Sequence, residues 1–166
     1  MIPIGARAPD FELPGIDDRR HRLVSQRGRV TVLHIWSAMC PWTQRTDERV
    51  VEAARAAGAD LWSVAVNADE DIELIRRVAA ERRLPLVLLD ADRRVADSYG
   101  AAATPHVFVI DQDGILRYQG APDDARFRDP EPQHRYLAEA LQAVIRGEAP
   151  DPATTPTYGC AIVRGL

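Results

Sequence analysis

Val30-Thr31-Val32-Leu33-His34-Ile35-Trp36-Ser37-Ala38-Met39-Cys40-Pro41-Trp42-Thr43 is the stretch on which the fold turns. Its first seven residues are β-branched, aliphatic or aromatic apart from one histidine. A nearly continuous apolar run of this kind suits a central strand covered on both faces. Pro41 is well placed for the first turn of a helix, where its missing N–H costs nothing, and Gly58 is a natural residue for ending it. The spacing therefore predicts a strand over 30–36, a short junction, and a helix over 41–57. Cys40 falls at the helix start, beside backbone N–H groups that have no intrahelical acceptor. Those donors and the positive end of the helix dipole favour thiolate over thiol, lowering the pKa from its free value of about 8.5. Thr43 can turn its hydroxyl toward the same sulfur. The competing reading of Cys40 is a small buried apolar side chain; its position favours the reactive one.

Upstream, residues 7–24 read as a short extended arm. Pro9 fixes its entry, Phe11 and Leu13 alternate, Pro14-Gly15 with Asp17-Asp18 makes a turn, and a second strand lies around His21–Val24. Downstream, Leu61–Val66 is the next buried strand, and Ile72, Ile75, Val78 and Ala79 mark one face of a second helix. Leu86–Leu89 is a third apolar run, and Val95–Tyr99 a short helix stopped by Gly100. Val107–Ile110, the turn Asp111-Gln112-Asp113-Gly114 and Ile115–Tyr118 form a hairpin. Leu137, Ala140, Leu141, Val144 and Ile145 space out a last amphipathic helix. The order predicts an α/β fold: a central mixed β-sheet flanked by helices on both faces, with an N-terminal β-hairpin extension. Residues 1–147 form this domain, and 148–166 are read as an irregular tail of the same domain carrying Cys160. The 36–41 junction then lies at the carboxyl end of a central strand, where sites in open α/β sheets gather.

The 166 residues suffice for one domain with a proper core. With 46% hydrophobic and 28% charged residues the chain is globular rather than disordered. A net charge of -4, with arginines scattered among acids, gives no electrostatic support to a nucleic-acid partner or an anionic membrane surface. Met1–Ala6 lacks the charged and apolar regions of a secretory signal, so the cytoplasm is the expected location. The two cysteines, Cys40 and Cys160, point to chemistry, a metal or burial rather than to a disulfide scaffold.

Trp36-Ser-Ala-Met-Cys40-Pro-Trp-Thr43 resembles the active-site segment of thioredoxin-like proteins, in which a Trp precedes a Cys-x-x-Cys at the same spacing. Thr104-Pro105 is similar to that superfamily's cis-proline, which packs against the nucleophilic cysteine. Ala8-Pro9-Asp10-Phe11-Glu12-Leu13, together with 107–114 and Tyr118-Gln119-Gly120, resembles the redoxin branch, which contains the alkyl hydroperoxide reductase and thiol-specific antioxidant proteins and membrane-anchored thiol reductases. The resemblance covers most of residues 7–146. Gly159-Cys160-Ala161-Ile162 and Gly120–Asp124 are similar to a bacterial group of these proteins that carries a C-terminal Gly-Cys. That group often has a further cysteine where this chain has Ser37.

The resemblance implies a thioredoxin-like fold and a thiol–disulfide oxidoreductase with Cys40 as nucleophile. Trp36, Pro41, Trp42, Thr104 and Pro105 would frame the substrate groove. Neither Thr43 nor Ser37 can release a mixed disulfide, so Cys160 is the expected resolving thiol, with an outside thiol as the alternative. The implied partners are a protein or small-molecule disulfide or peroxide and an external thiol reductant, with no cofactor. The segment before Cys40 is not the peroxiredoxin Pro-x-x-x-Thr-x-x-Cys, which places thiol exchange ahead of a conventional peroxidase. Arg45 is read as solvated.

His34 stands where thioredoxins carry a buried acid; a core histidine is the favoured reading over a proton acceptor. Cys40, Met39, His106 and Cys160 could converge on Cu(I) or Zn(II), although no local pair of ligands pre-positions a metal. A non-catalytic binding or chaperone module is the rival from another class. The charged stretches Asp69–Asp71 and Arg126–Arg135 are read as solvated surface.

Overall fold

A computed structural model describes residues 1–126 and 128–163 of the chain. Its centre is a five-stranded sheet. β3 (Thr31–Trp36) lies in the middle, parallel to β4 (Asp60–Ala65) on one side, with β5 (Val87–Leu89) parallel beyond it. On its other side β3 runs antiparallel to β7 (His106–Ile110), which pairs with β8 (Leu116–Gly120) at the edge. All six residues of β3 are buried, as expected of a strand with neighbours on both edges and cover on both faces.

The period of two along the strands sorts the core into layers. Val32, Leu61, Val107 and Val109 face α1 (Pro41–Ala57) and α4 (Tyr136–Ile145), packing on Val50, Ala54, Leu137, Ala140 and Leu141. At the end of that layer Trp36, Ala65 and Val87 pack with Ile75, Val78 and Ala79 of α2 (Ile72–Glu81). Leu33, Ile35, Val64, Phe108 and Ile110 form the opposite layer with Val95 and Ala96 of α3 (Arg94–Ser98) and with Leu13 and Leu23 of the amino-terminal arm. The arm holds the expected hairpin, β1 (Glu12–Pro14) against β2 (Arg20–Arg22). α1 ends at Gly58 in the left-handed conformation (φ +63°). No helix among the described residues is long and apolar enough to cross a membrane.

The tail differs from expectation. It runs irregularly past β8, where Thr155 is wedged against Gly120 and its hydroxyl meets the Tyr118 hydroxyl at 2.7 Å. It then forms a strand, β9 (Cys160–Ala161), antiparallel to β6 (Ala103–Thr104), the short strand that leads into Pro105. Thr104 pairs with Cys160 in this ladder, and Ile162 beyond it is buried in the core. Two residues of strand after a long irregular stretch give no periodic signal of their own. Residues 164–166 of the expected irregular tail lie outside the described residues.

Candidate active site

Cys40 occupies the cap position of α1, with extended backbone angles and Pro41 at the first helical position. It is 3% exposed. Its Sγ lies 2.7 Å from Cys160 Sγ and 3.3 Å from the carbonyl oxygen of Thr104. The peptide bond between Thr104 and Pro105 is cis. Two cysteines 120 residues apart are thus brought together by the strand that precedes this proline.

The two thiols differ in electrostatics. Burial pushes the pKa of Cys40 upward, yet the net direction is down: the Cys160 thiol, the Thr104 side chain and the backbone N–H groups of Thr43 and Trp42 favour its thiolate. The Thr104 carbonyl can accept only from a neutral thiol and works the other way. Cys160 is pushed up to about 11 by burial, by donating to Cys40 and by the charge of Cys40. Of the two, Cys40 is therefore the thiol that ionises first, while Cys160 keeps its proton.

The junction 37–40 is clamped by Glu70, which the sequence reading left at the surface, and by Arg82, which it did not single out. Glu70, in the stretch read as solvated, is buried. Its carboxylate accepts from the Ser37 hydroxyl (2.5 Å) and from the backbone N–H groups of Ala38 (3.0 Å) and Met39 (3.1 Å). Asp71 next to it caps α2 by accepting from Leu74 N–H. Arg82 donates to the Ala38 carbonyl (2.7 Å) and to Asp47 (2.9 Å), and lies over the Trp36 ring. Ala38 thus has its N–H on a carboxylate and its carbonyl on a guanidinium.

A registered pair of parallel strands explains the proximity. β3 and β4 end together at Trp36 and Ala65, so the loops that follow them must be neighbours. That relation could have drawn Asn67 and Glu70 to the site from sequence. By contrast, the described residues of Arg126–Arg135 are exposed or half-buried, as read.

Other expected site residues take different places. Trp36 is fully buried, beneath the site rather than along a groove, because it is the last inward-facing residue of β3; its indole N–H donates to Asp47 at 3.0 Å. The Thr43 hydroxyl is turned away from the sulfur. It donates within the helix start to the carbonyls of Ser37 (2.6 Å) and Cys40 (2.8 Å), and only its backbone N–H serves Cys40. Pro41 is exposed, Trp42 half-buried, and Thr104 and Pro105 are buried, so Pro41 and Trp42 are the expected groove residues that reach solvent. Trp42 packs in a tilted arrangement against Tyr158, with ring centroids 5.0 Å apart, and the Tyr158 hydroxyl donates to Asp123, itself paired with Arg49 at 2.9 Å. Arg45 is exposed, as read, with its guanidinium over the Trp42 ring.

His34 is fully buried, with Nδ1 3.3 Å from Ser63 Oγ and Nε2 3.9 Å from Asp47. Burial lowers its pKa, with Asp47 acting against and Arg82 with that shift. His106 stacks on Phe108 at 4.3 Å, and burial pushes its pKa down to about 4. Met39 is 64% exposed. No group of three or more His, Cys, Asp or Glu among the described residues is placed to hold a metal ion.

Comparison with known proteins bears on the family and the fold. A model of the AhpC/TSA family matches residues 4–119. The thiol-disulfide oxidoreductase ResA of Geobacillus thermodenitrificans is 28% identical over 120 residues, covering 70% of this chain and 68% of that protein. The thiol:disulfide interchange protein DsbE of Allochromatium vinosum is 24% identical over 124 residues, covering 72% and 67%. The crystal structure of a hypothetical protein from Sinorhizobium meliloti 1021 superposes with a TM-score of 0.89 at 26% identity, covering 100% of this chain and 97% of that one.

Proposed function

The chain belongs to the AhpC/TSA family, and we propose that it is a thiol–disulfide oxidoreductase in which Cys40 is the nucleophile and Cys160 the resolving thiol. The observation that carries the reading is the 2.7 Å approach of the two sulfurs, with Cys40 the more readily ionised of the pair.

In the first step the Cys40 thiolate attacks one sulfur of a disulfide. The substrate S–S bond breaks, a Cys40 mixed disulfide forms, and the displaced sulfur leaves as a thiolate that takes up a proton from water. Cys40 is then neutral. Burial still raises the pKa of Cys160, but its other two causes, donation to Cys40 and the charge of Cys40, are gone. Cys160 becomes a nucleophile only after the first step has occurred. Its sulfur attacks Cys40 Sγ, its proton goes to the departing substrate thiolate, and a Cys40–Cys160 disulfide remains. The substrate has gained two electrons, and an external thiol reductant returns them to the protein.

The substrate class is a protein or small-molecule disulfide. The small number of cysteines supports a reducing compartment, and this reading places the chain in the cytoplasm; fractionation of cells tests that placement.

Cys40→Ser and Cys160→Ser separate the two steps. Cys40→Ser abolishes turnover of a model disulfide with a thiol reductant, whereas Cys160→Ser accumulates the Cys40 mixed disulfide, seen by intact mass. Full turnover by Cys40→Ser overturns the proposal.

A further inference from the structure

We propose that Asn67 is a positioning residue for the second thiol step, holding the Cys160 strand and the Cys40 junction in one hydrogen-bonded frame; this rests on the two-cysteine reading above. Asn67 follows β4 at its carboxyl end. Its Oδ1 accepts from the backbone N–H of Val163 at 2.9 Å, and its Nδ2 donates to Ser37 Oγ at 3.0 Å and more weakly to Glu70 at 3.4 Å. The orientation of the amide is fixed by chemistry, since the Val163 N–H can only donate and a carboxylate can only accept.

Ser37 Oγ is the hub. It donates its one proton to Glu70 and accepts from Asn67 and from the backbone N–H of Cys40 at 3.1 Å, which fills its capacity. Three hydrogen bonds therefore link the backbone of Val163, three residues beyond one sulfur, to the backbone of Cys40, which carries the other. The Ala68 N–H adds a longer bond to the Val163 carbonyl at 3.4 Å. On the other side of Cys160, Tyr158 is held by Asp123 and Trp42. Cys160 is gripped from both directions, and the Asn67 side chain bonds both the tail and the Cys40 junction.

An alanine at 67 cannot make either bond. An intramolecular thiol owes its effective concentration to being held in place. Losing the frame should then weaken bridge formation while leaving unchanged the reactivity that Cys40, still fixed by Glu70 and Arg82, has in the absence of the Cys160 thiol.

The test equilibrates the full-length wild type, Asn67→Ala and Val163→Pro with glutathione redox buffers and measures the Cys40–Cys160 bridge by non-reducing peptide mass mapping. Iodoacetamide rates on Cys40 are measured in parallel in the Cys160→Ser background, with and without Asn67→Ala. The expected result is a loss of about tenfold or more in the bridge equilibrium constant for both variants, with less than about threefold change in the Cys40 rate. Val163→Pro deletes the same bond from its other end, so the double variant should lose little more than either alone. A bridge constant for Asn67→Ala within about twofold of wild type overturns the inference, as does an equal loss in both readouts. If the wild type itself forms no bridge, the two-cysteine reading fails and takes this inference with it.

Discussion

A β-carbon on Gly159 would overlap the carbonyl oxygen of Thr104, the same oxygen that lies 3.3 Å from Cys40 Sγ. The tail crosses the strand before the cis-proline at a residue without a side chain, and in a conformation (φ +123°) that L side chains rarely adopt. The Gly-Cys pair is one device: the glycine permits the approach and the cysteine uses it.

Gly159→Ala should therefore release β9 rather than be absorbed by it. Relief of the clash and of the backbone strain, which together cost about 1–3 kcal/mol in the docked form, favours undocking. The expected outcome is a Cys40–Cys160 bridge weakened by about tenfold in glutathione buffers, since a loss of ~1.4 kcal/mol is one decade, with Cys40 alkylated more slowly because its Cys160 donor leaves with the strand. Bridge formation equal to wild type would show that the tail does not need this contact.

The Cys160 thiol heads the interactions that lower the pKa of Cys40. Cys160→Ala removes that donor, so the Cys40 pKa should rise and its thiolate fraction at neutral pH should fall. Cys160→Ser keeps a hydroxyl donor and should lie between alanine and wild type. Thiolate absorbance at 240 nm against pH gives all three values, and an alanine variant that titrates at or below wild type would contradict the assignment of charge.

The strands, α1 and its cap at Gly58 were legible because period and punctuation agreed over long runs. Cys40 was legible because a helix start needs no tertiary contact to change a thiol. Three features were not. Glu70 sits among acids that read as solvated, and only the parallel register of β3 and β4 turns it toward the junction. Thr43 is a short polar side chain near a helix start, where backbone carbonyls outcompete a sulfur for its proton. Trp36 was a groove residue by resemblance to the thioredoxin-like active-site segment, but strand alternation points it into the layer beneath α1 and α2.

Glu70→Ala leaves the Ser37 hydroxyl and the N–H groups of Ala38 and Met39 without their shared acceptor. Hydrogen bonds to a charged group are worth about 1.5–3 kcal/mol each, and partial rehydration of the junction recovers some of the sum, so a net loss of about 3 kcal/mol is expected. Urea denaturation reads it. Glu70→Gln keeps one acceptor oxygen and should lose less, whereas equal losses for both variants would mean that the carboxylate adds nothing beyond its volume.

His106 gives the chain an acid-sensitive point separate from its cysteines. Its folded pKa of about 4 lies below the ordinary value of 6.5 because burial disfavours the imidazolium. In the window between those values the unfolded chain binds a proton that the folded chain refuses. Stability is then fully present above about pH 6.5 and falls as the pH drops toward 4, by about 3 kcal/mol in all if each unit is worth about 1.4 kcal/mol. Titrating carboxylates add their own slope, so the comparison must be with a variant that lacks only the imidazole. His106→Leu should show a shallower loss of unfolding free energy between pH 7 and pH 4.5 than wild type, measured by urea denaturation at each pH. Parallel curves for the two proteins would mean that His106 is protonated in the folded state well above pH 4.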